Sequence, residues 1–260
     1  MSTSDLTVFR LGRPVSNAWL VMDAGEGPVL VDSGFSALWP AMLAQLRRRS
    51  LRPRDLRAVI LTHRHCDHAA NAARFWSEGV PVYAHRLDAE CLMGQRPPPP
   101  LPTAASATGA MCWVENRFPA RVERVRPLED GDLVAGLRVR WVPGHTAGSV
   151  FLHHEPSATL FSGDALLNAV PPYTLVTRLS LPSPDFSEDY DSALASLERF
   201  AASRLEVRTV YCGHGPVWRG ELGPALAKIL ARARVAPEQR ARRRRRSVGA
   251  HGNAPGEELS

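Results

Sequence analysis

Cysteine is scarce in this chain: four among 260 residues, at Cys66, Cys91, Cys112 and Cys212. None forms a Cys-x-x-Cys pair, and a chain this long can bury a full core without covalent staples, so a disulfide framework is excluded as its organising device. A run of about 18 apolar residues is also missing, and no charged-then-apolar segment opens the sequence, which removes the usual signals for a membrane span or secretion. The expected location is cytoplasmic, with no membrane partner. Internal repeats are absent too, and 44% hydrophobic residues is ordinary for one large soluble domain.

Charge of one sign is lacking over most of the chain. The net charge is +6, but residues 232–260 hold eight Arg and three Glu, leaving 24 basic against 23 acidic residues in 1–231. A nearly neutral body offers no basic face for nucleic acid. The run Arg242 to Arg246 has no apolar companions and reads as a disordered, solubilising tail. The expected organisation is a catalytic domain over 1–235 and an Arg-rich tail over 236–260, with nucleic-acid contact expected only through that tail.

Histidine and aspartate, by contrast, are concentrated. Thr62-His63-Arg64-His65-Cys66-Asp67-His68 places three imidazoles and a carboxylate directly after the apolar run Ala58-Val59-Ile60-Leu61. The run reads as a buried strand ending near Thr62, with a helix starting at Ala69, so the ligand-type residues fall on the turn between them. Imidazole nitrogen and carboxylate oxygen suit Zn²⁺, with iron and manganese also compatible. The same design recurs at Pro143-Gly144-His145, Gly163-Asp164 and Cys212-Gly213-His214, each with a ligand-type residue beside glycine at the end of an apolar run.

Together with Val31-Asp32-Ser33-Gly34, these motifs resemble the metallo-β-lactamase superfamily of metal-dependent hydrolases, from about Val8 to His214. The resemblance implies a four-layer αββα sandwich, of α/β (α+β) class, with the metals at one edge between two sheets. It implies two Zn²⁺ per chain: His63, His65 and His145 on the first, Asp67, His68 and His214 on the second, and Asp164 bridging. Asp32 would orient a histidine ligand; its other reading is a turn aspartate before Ser33-Gly34. The expected reaction is attack of a metal-bridging hydroxide on a small-molecule ester, thioester or lactone, with Asp67 and Asp164 contributing charge and orienting the water.

Departures narrow the class. The name-giving lactamases with a three-histidine zinc site typically carry cysteine where this chain has Asp164. Flavodiiron oxidoreductases carry glutamate in place of His65, and acyl-homoserine lactonases usually place tyrosine where Leu167 stands. Gly215-Pro216-Val217-Trp218 does not continue as glyoxalase II does. The alternatives that keep this ligand set are a ribonuclease Z-like phosphodiesterase and a mononuclear iron persulfide dioxygenase; a homodimer is compatible with the sequence.

The periodicity itself supports mixed α and β structure: strands near 7–10, 18–23, 28–32, 57–61, 81–84, 137–142, 149–155, 158–162 and 207–211, with helices near 36–49, 187–203 and 221–234. Asp185-Phe186-Ser187-Glu188 has capping-box spacing for the helix that follows, with Leu194, Leu197, Phe200 and Ala201 as core. Gln95 to Gly109, rich in proline, reads as a stiff extended loop and candidate substrate lid, with Met111, Trp113 and Phe118 as a candidate apolar wall. Tyr173, soon after Asp164, is a candidate donor to a developing oxyanion.

Overall fold

The computed structural model describes residues 6–12, 16–22, 27–103, 107–170 and 176–234. Tyr173, Arg242 to Arg246 and the 236–260 tail lie outside them.

Short apolar runs buried on both faces at the centre of each sheet set the architecture. The first sheet holds β1 (Val8–Arg10), β2 (Trp19–Val21), β3 (Val29–Val31), β4 (Ala58–Ile60), β5 (Val82–His85) and β6 (Arg126–Leu128), paired in sequence order. Its first two pairings are antiparallel, and the β3–β4, β4–β5 and β5–β6 pairings are parallel. The second sheet runs β12 (Trp218–Arg219), β11 (Thr209–Cys212), β10 (Thr159–Gly163), β9 (Val150–His154), β8 (Leu137–Trp141), β7 (Leu133–Val134). Only β10–β11 is parallel there.

Period-two alternation sorts these runs into layers. Val29, Val31, Ala58 and Ile60 point to a middle core shared with Val139, Val150, Leu152 and Phe161 of the second sheet. Leu30 and Val59 point the other way, into a core with α1 (Trp39–Arg47), α3 (Ala72–Ser77) and α4 (Arg86–Leu92), through Met42, Leu46, Phe75 and Leu92. Phe151 and Leu160 meet α6 (Tyr190–Ala202) and a helix over 222–234, through Leu197, Leu222, Leu226 and Leu230. Helix, sheet, sheet, helix is the αββα sandwich.

Several boundaries differ from the periodicity reading. The helix after the histidine motif begins three residues early, as α2 (Cys66–Ala69), so Asp67 and His68 occupy its first turn rather than the loop before it. It breaks before α3 at Asn71, whose buried side chain donates to the carbonyls of Ser33 and Phe35, at 2.9 and 3.0 Å. Residues 107–109 belong to α5 (Ala107–Arg117), not to an extended loop. Helix α6 is capped by Asp189, whose Oδ1 accepts from Ser192 N at 2.9 Å, and not by the 185–188 box. Glu188 is drawn away by a buried arginine, described below.

Candidate metal centre

Every ligand-type residue of the sequence motifs lies just past a strand end, on the same edge of both sheets. From the first sheet, β3 runs into Asp32, held at φ 59° in the left-handed region that Asp tolerates better than most residues. Its carboxylate accepts from Thr62 N at 2.8 Å and Thr62 Oγ1 at 2.9 Å, and from His68 Nδ1 at 3.0 Å. The Thr62 hydroxyl, having donated to Asp32, accepts from His63 Nδ1 at 3.0 Å. One carboxylate thereby sets two rings, turning Nε2 of both His63 and His68 inward. Ser33 fastens the other end of the motif, its N–H and hydroxyl reaching His68 O at 2.6 and 2.9 Å.

The second sheet delivers His145 after β8, Asp164 after β10 and His214 after β11. Two glycines are dictated by crowding: a Cβ on Gly163 would lie 2.3 Å from Thr62 Oγ1, and one on Gly213 only 2.1 Å from Asp164 Oδ1. Asn17 pins the last loop, donating through Nδ2 to Cys212 O and Gly215 O at 2.8 Å each.

The predicted residues converge. His63, His65 and His145 form one group, and Asp67, His68 and His214 another, with nitrogen and oxygen atoms in each lying within 4.8 Å of one another. Asp164 stands between them: its carboxylate is 3.1 Å from His214 Nε2, 3.3 Å from His68 Nε2 and 4.0 Å from His145 Nε2. Nε2 of His63, His65 and His145 is buried with no hydrogen-bond partner in the protein. Three buried, unpartnered imidazole nitrogens facing one point are costly for protein alone and suited to a divalent cation. The donor set therefore fits metal ions.

Electrostatics separate the two groups. Burial pushes His63 and His65 well below their ordinary pKa and His145 down to about 4, so these rings are neutral bases at pH 7. Burial acts the same way on His68 and His214, but the neighbouring carboxylates outweigh it, Asp67 foremost for His68 and Asp164 for His214. His68 is raised well above its usual value and His214 to about 9. The carboxylates that favour protons on these rings in the metal-free protein are the charges that would balance a cation, so metal and protons compete.

A second constellation was not apparent in the sequence. Arg64, between two of these histidines, is only 3% exposed. Its guanidinium donates to Glu188 Oε1 at 2.7 and 3.2 Å and approaches Glu115 Oε1 at 3.5 Å, while its N–H donates to Asp88 Oδ2 at 2.9 Å. Each acid also holds a ligand loop: Glu115 accepts from Cys66 N at 2.7 Å, Glu188 from Ala147 N at 3.0 Å, and Asp88 from Thr146 Oγ1 and Gly148 N at 2.8 and 3.0 Å. The partners are 24, 51 and 124 residues away in sequence, so no local spacing announces them. Burial raises the Asp88 pKa to about 6 despite the Arg64 charge.

A cavity of about 220 Å³ opens beside the site, with His65, Asp67, Asp164 and His214 on its floor. Of the candidate wall, Met111 lines it and Trp113 and Phe118 do not; they are 55% and 58% exposed and pack against each other. Helical geometry explains the split, since Met111, Val114 and Glu115 share a face at i, i+3, i+4 and Trp113 points elsewhere. The proline segment is tied to α5 by Asn116, which exchanges two 2.8 Å hydrogen bonds with the backbone of Leu101.

Known proteins resemble this chain in sequence and fold. A probable metallo-hydrolase of Bacillus subtilis, YybB, is 28% identical over 183 residues, covering 68% of this chain and 72% of that protein. The human acyl-coenzyme A thioesterase MBLAC2 is 31% identical over 58% of each chain. The crystal structure of TTHA1623 in a di-iron-bound form superposes with a TM-score of 0.60 at 30% identity, covering 86% of this chain and 98% of that one. Residues 11–214, spanning every ligand-type residue from Asp32 to His214, match the family model for the metallo-beta-lactamase superfamily. With the motif order, the double sheet and the strand-end histidines in agreement, the chain belongs to the metallo-β-lactamase superfamily of metal-dependent hydrolases.

Proposed function

We propose that the protein is a dinuclear metal-dependent hydrolase of a small-molecule ester, thioester or lactone. The observation that carries this reading is the pair of three-residue groups, His63/His65/His145 and Asp67/His68/His214, with Asp164 between them. The first group would hold one ion and the second another, with Asp164 shared. When bound, divalent ions supply Lewis-acid polarisation of a carbonyl and lower the pKa of water toward about 7. The protein's own residues do the rest. Asp32, directly and through Thr62, keeps Nε2 of His68 and His63 facing the site, and Asp67 and Asp164 orient the attacking water. The human thioesterase relative favours the thioester among the three substrate types.

Zn²⁺ suits the nitrogen-rich donor set, and the di-iron form of TTHA1623 makes iron the second candidate. Metal content per chain, measured on protein purified without added metal and paired with a panel of thioesters, aryl esters, lactones and bis-aryl phosphodiesters, tests the proposal. Two ions per chain with carbonyl-ester turnover is the expected result. One iron per chain, or turnover confined to phosphodiesters, would overturn it in favour of a persulfide dioxygenase or a nuclease.

A further inference from the structure

Four apolar side chains near the site serve no core. Phe35, Met111, Val114 and Phe186 belong to none of the three hydrophobic clusters, and Met111 is 42% exposed. They come from three separate segments: the turn after β3, helix α5 and the turn before α6. All four nonetheless line the 220 Å³ cavity over Asp67 and Asp164. Large apolar groups withheld from the core and gathered around one hollow mark a binding surface for an apolar group.

The remaining chemistry of the walls sets its charge. Of the three carboxylates on the cavity, Asp67 and Asp164 belong to the candidate ligand groups and Glu115 faces Arg64 at 3.5 Å, and among the described residues lining it there is no Lys or Arg to pair with a ligand's charge. A charged substituent placed among Phe35, Met111, Val114 and Phe186 would be desolvated without a partner. An acyl chain stays uncharged throughout the reaction and meets that condition. We propose that this cavity binds a small, uncharged, apolar acyl group, with Met111 and Val114 of α5 as the wall that sets its length.

The wall is held in place beforehand. Glu115 accepts from Cys66 N at 2.7 Å, Cys112 Sγ donates to Asp185 O at 3.4 Å, and Asn116 grips Leu101, so α5 is fixed to the histidine motif, to the turn carrying Phe186 and to the proline segment. The hollow is formed before any ligand arrives. At 220 Å³ it is smaller than the roughly 300–1,000 Å³ pockets that take drug-sized ligands, so a short chain or single ring fills it.

The inference rests on the hydrolase reading for its word acyl, and the test separates the two. Straight-chain alkanamides from acetamide to octanamide, which copy an acyl group without being turned over, are titrated into the metal-loaded protein by NMR. N-alkylacetamides of equal carbon number place the chain on the leaving-group side, and succinamate in place of butanamide adds an anion. Affinity should rise about fourfold per methylene for alkanamides, the factor equivalent to about 0.8 kcal/mol, until the cavity is full. It should stay flat for N-alkylacetamides and fall at least tenfold for succinamate. Val114→Trp and, independently, Met111→Ala should flatten the alkanamide slope. A flat alkanamide series in the parent protein, a steeper N-alkyl series or preference for succinamate would overturn the proposal, whatever the ester panel shows. A steep alkanamide series with no ester turnover would instead keep the cavity assignment and sink the hydrolase reading.

Discussion

Replacing Arg64 by Met removes the one cation among three buried acids while keeping the side chain's length and apolar stem. The side chains of Arg64, Glu115 and Glu188 are 3%, 6% and 11% exposed, so solvent cannot take over the charges left behind. Breaking a buried ion pair from one side costs about 3–5 kcal/mol. The loss should sit at the lower end of that range, because Glu115, Glu188 and Asp88 each keep a backbone donor, at 2.7, 3.0 and 3.0 Å. Those same donors belong to the loops carrying His63 to His68 and His145, so the variant should also bind metal about 10–100-fold more weakly, the usual cost of disturbing groups that orient ligands. Denaturant unfolding of the metal-loaded protein reads the first effect and chelator competition the second. Arg64→Lys keeps the charge but loses the planar fork, and should recover stability more than metal affinity. Adding Glu188→Gln to Arg64→Met should cost less than the sum of the single changes, with a coupling of about 0.5–3 kcal/mol. A loss below about 1 kcal/mol for Arg64→Met with unchanged metal affinity would refute the reasoning, placing the cluster among interactions worth no more than exposed salt bridges.

Asp32→Asn should leave the fold intact by circular dichroism yet weaken metal binding about 10–100-fold, because an amide cannot accept from Thr62 and His68 together; unchanged affinity would leave Asp32 as a turn residue. Gly213→Ala forces a methyl to 2.1 Å from Asp164 Oδ1 and should abolish activity while costing about 1–3 kcal/mol in stability; an active alanine variant would contradict the crowding. Asp88, raised to about 6 in the folded state, contributes stability that is complete below its unfolded pKa and is lost as pH climbs through 6. The wild type should therefore lose about 1.4 kcal/mol relative to Asp88→Asn between about pH 5 and 7.5, measured as the difference of two unfolding curves, and a difference that does not vary with pH would place the Asp88 pKa near its ordinary value. Removing metal with a chelator should lower the midpoint of thermal unfolding, and zinc should restore it; an unmoved midpoint would deny the site any coupling to folding.

What the sequence announced is what short-range pattern encodes. Val29 to Val31 and Ala58 to Ile60 read as strands because short apolar runs rich in β-branched residues suit buried strands, and His-x-His-x-Asp-His at such a strand's end is a ligand pattern on its face. The strand-end glycines beside His145, Asp164 and His214 were visible for the same reason. What stayed hidden depends on distant partners. Glu188 was readable as a cap because capping is local, and lost that role to Arg64, which lies 124 residues away. Likewise no local signal singles out Val114 and Glu115, in a helix whose amphipathicity is weak because its inner face meets a cavity as well as the core. Trp113 and Phe118 are candidates for that inner face as much as Met111 is, because hydrophobicity alone does not give rotation about a helix axis.

Each of the two ligand groups draws from both sheets: His63 and His65 with His145, and Asp67 and His68 with His214. An ion seated in either is held at once by chain segments 80 or more residues apart, so it acts on the protein as a cross-link across the seam of the sandwich. Binding and the packing of the two sheets at that edge would then be linked, with ion concentration adding to the hold of the shared middle core. The site that would open a substrate's bond would also serve as the clasp of its own fold.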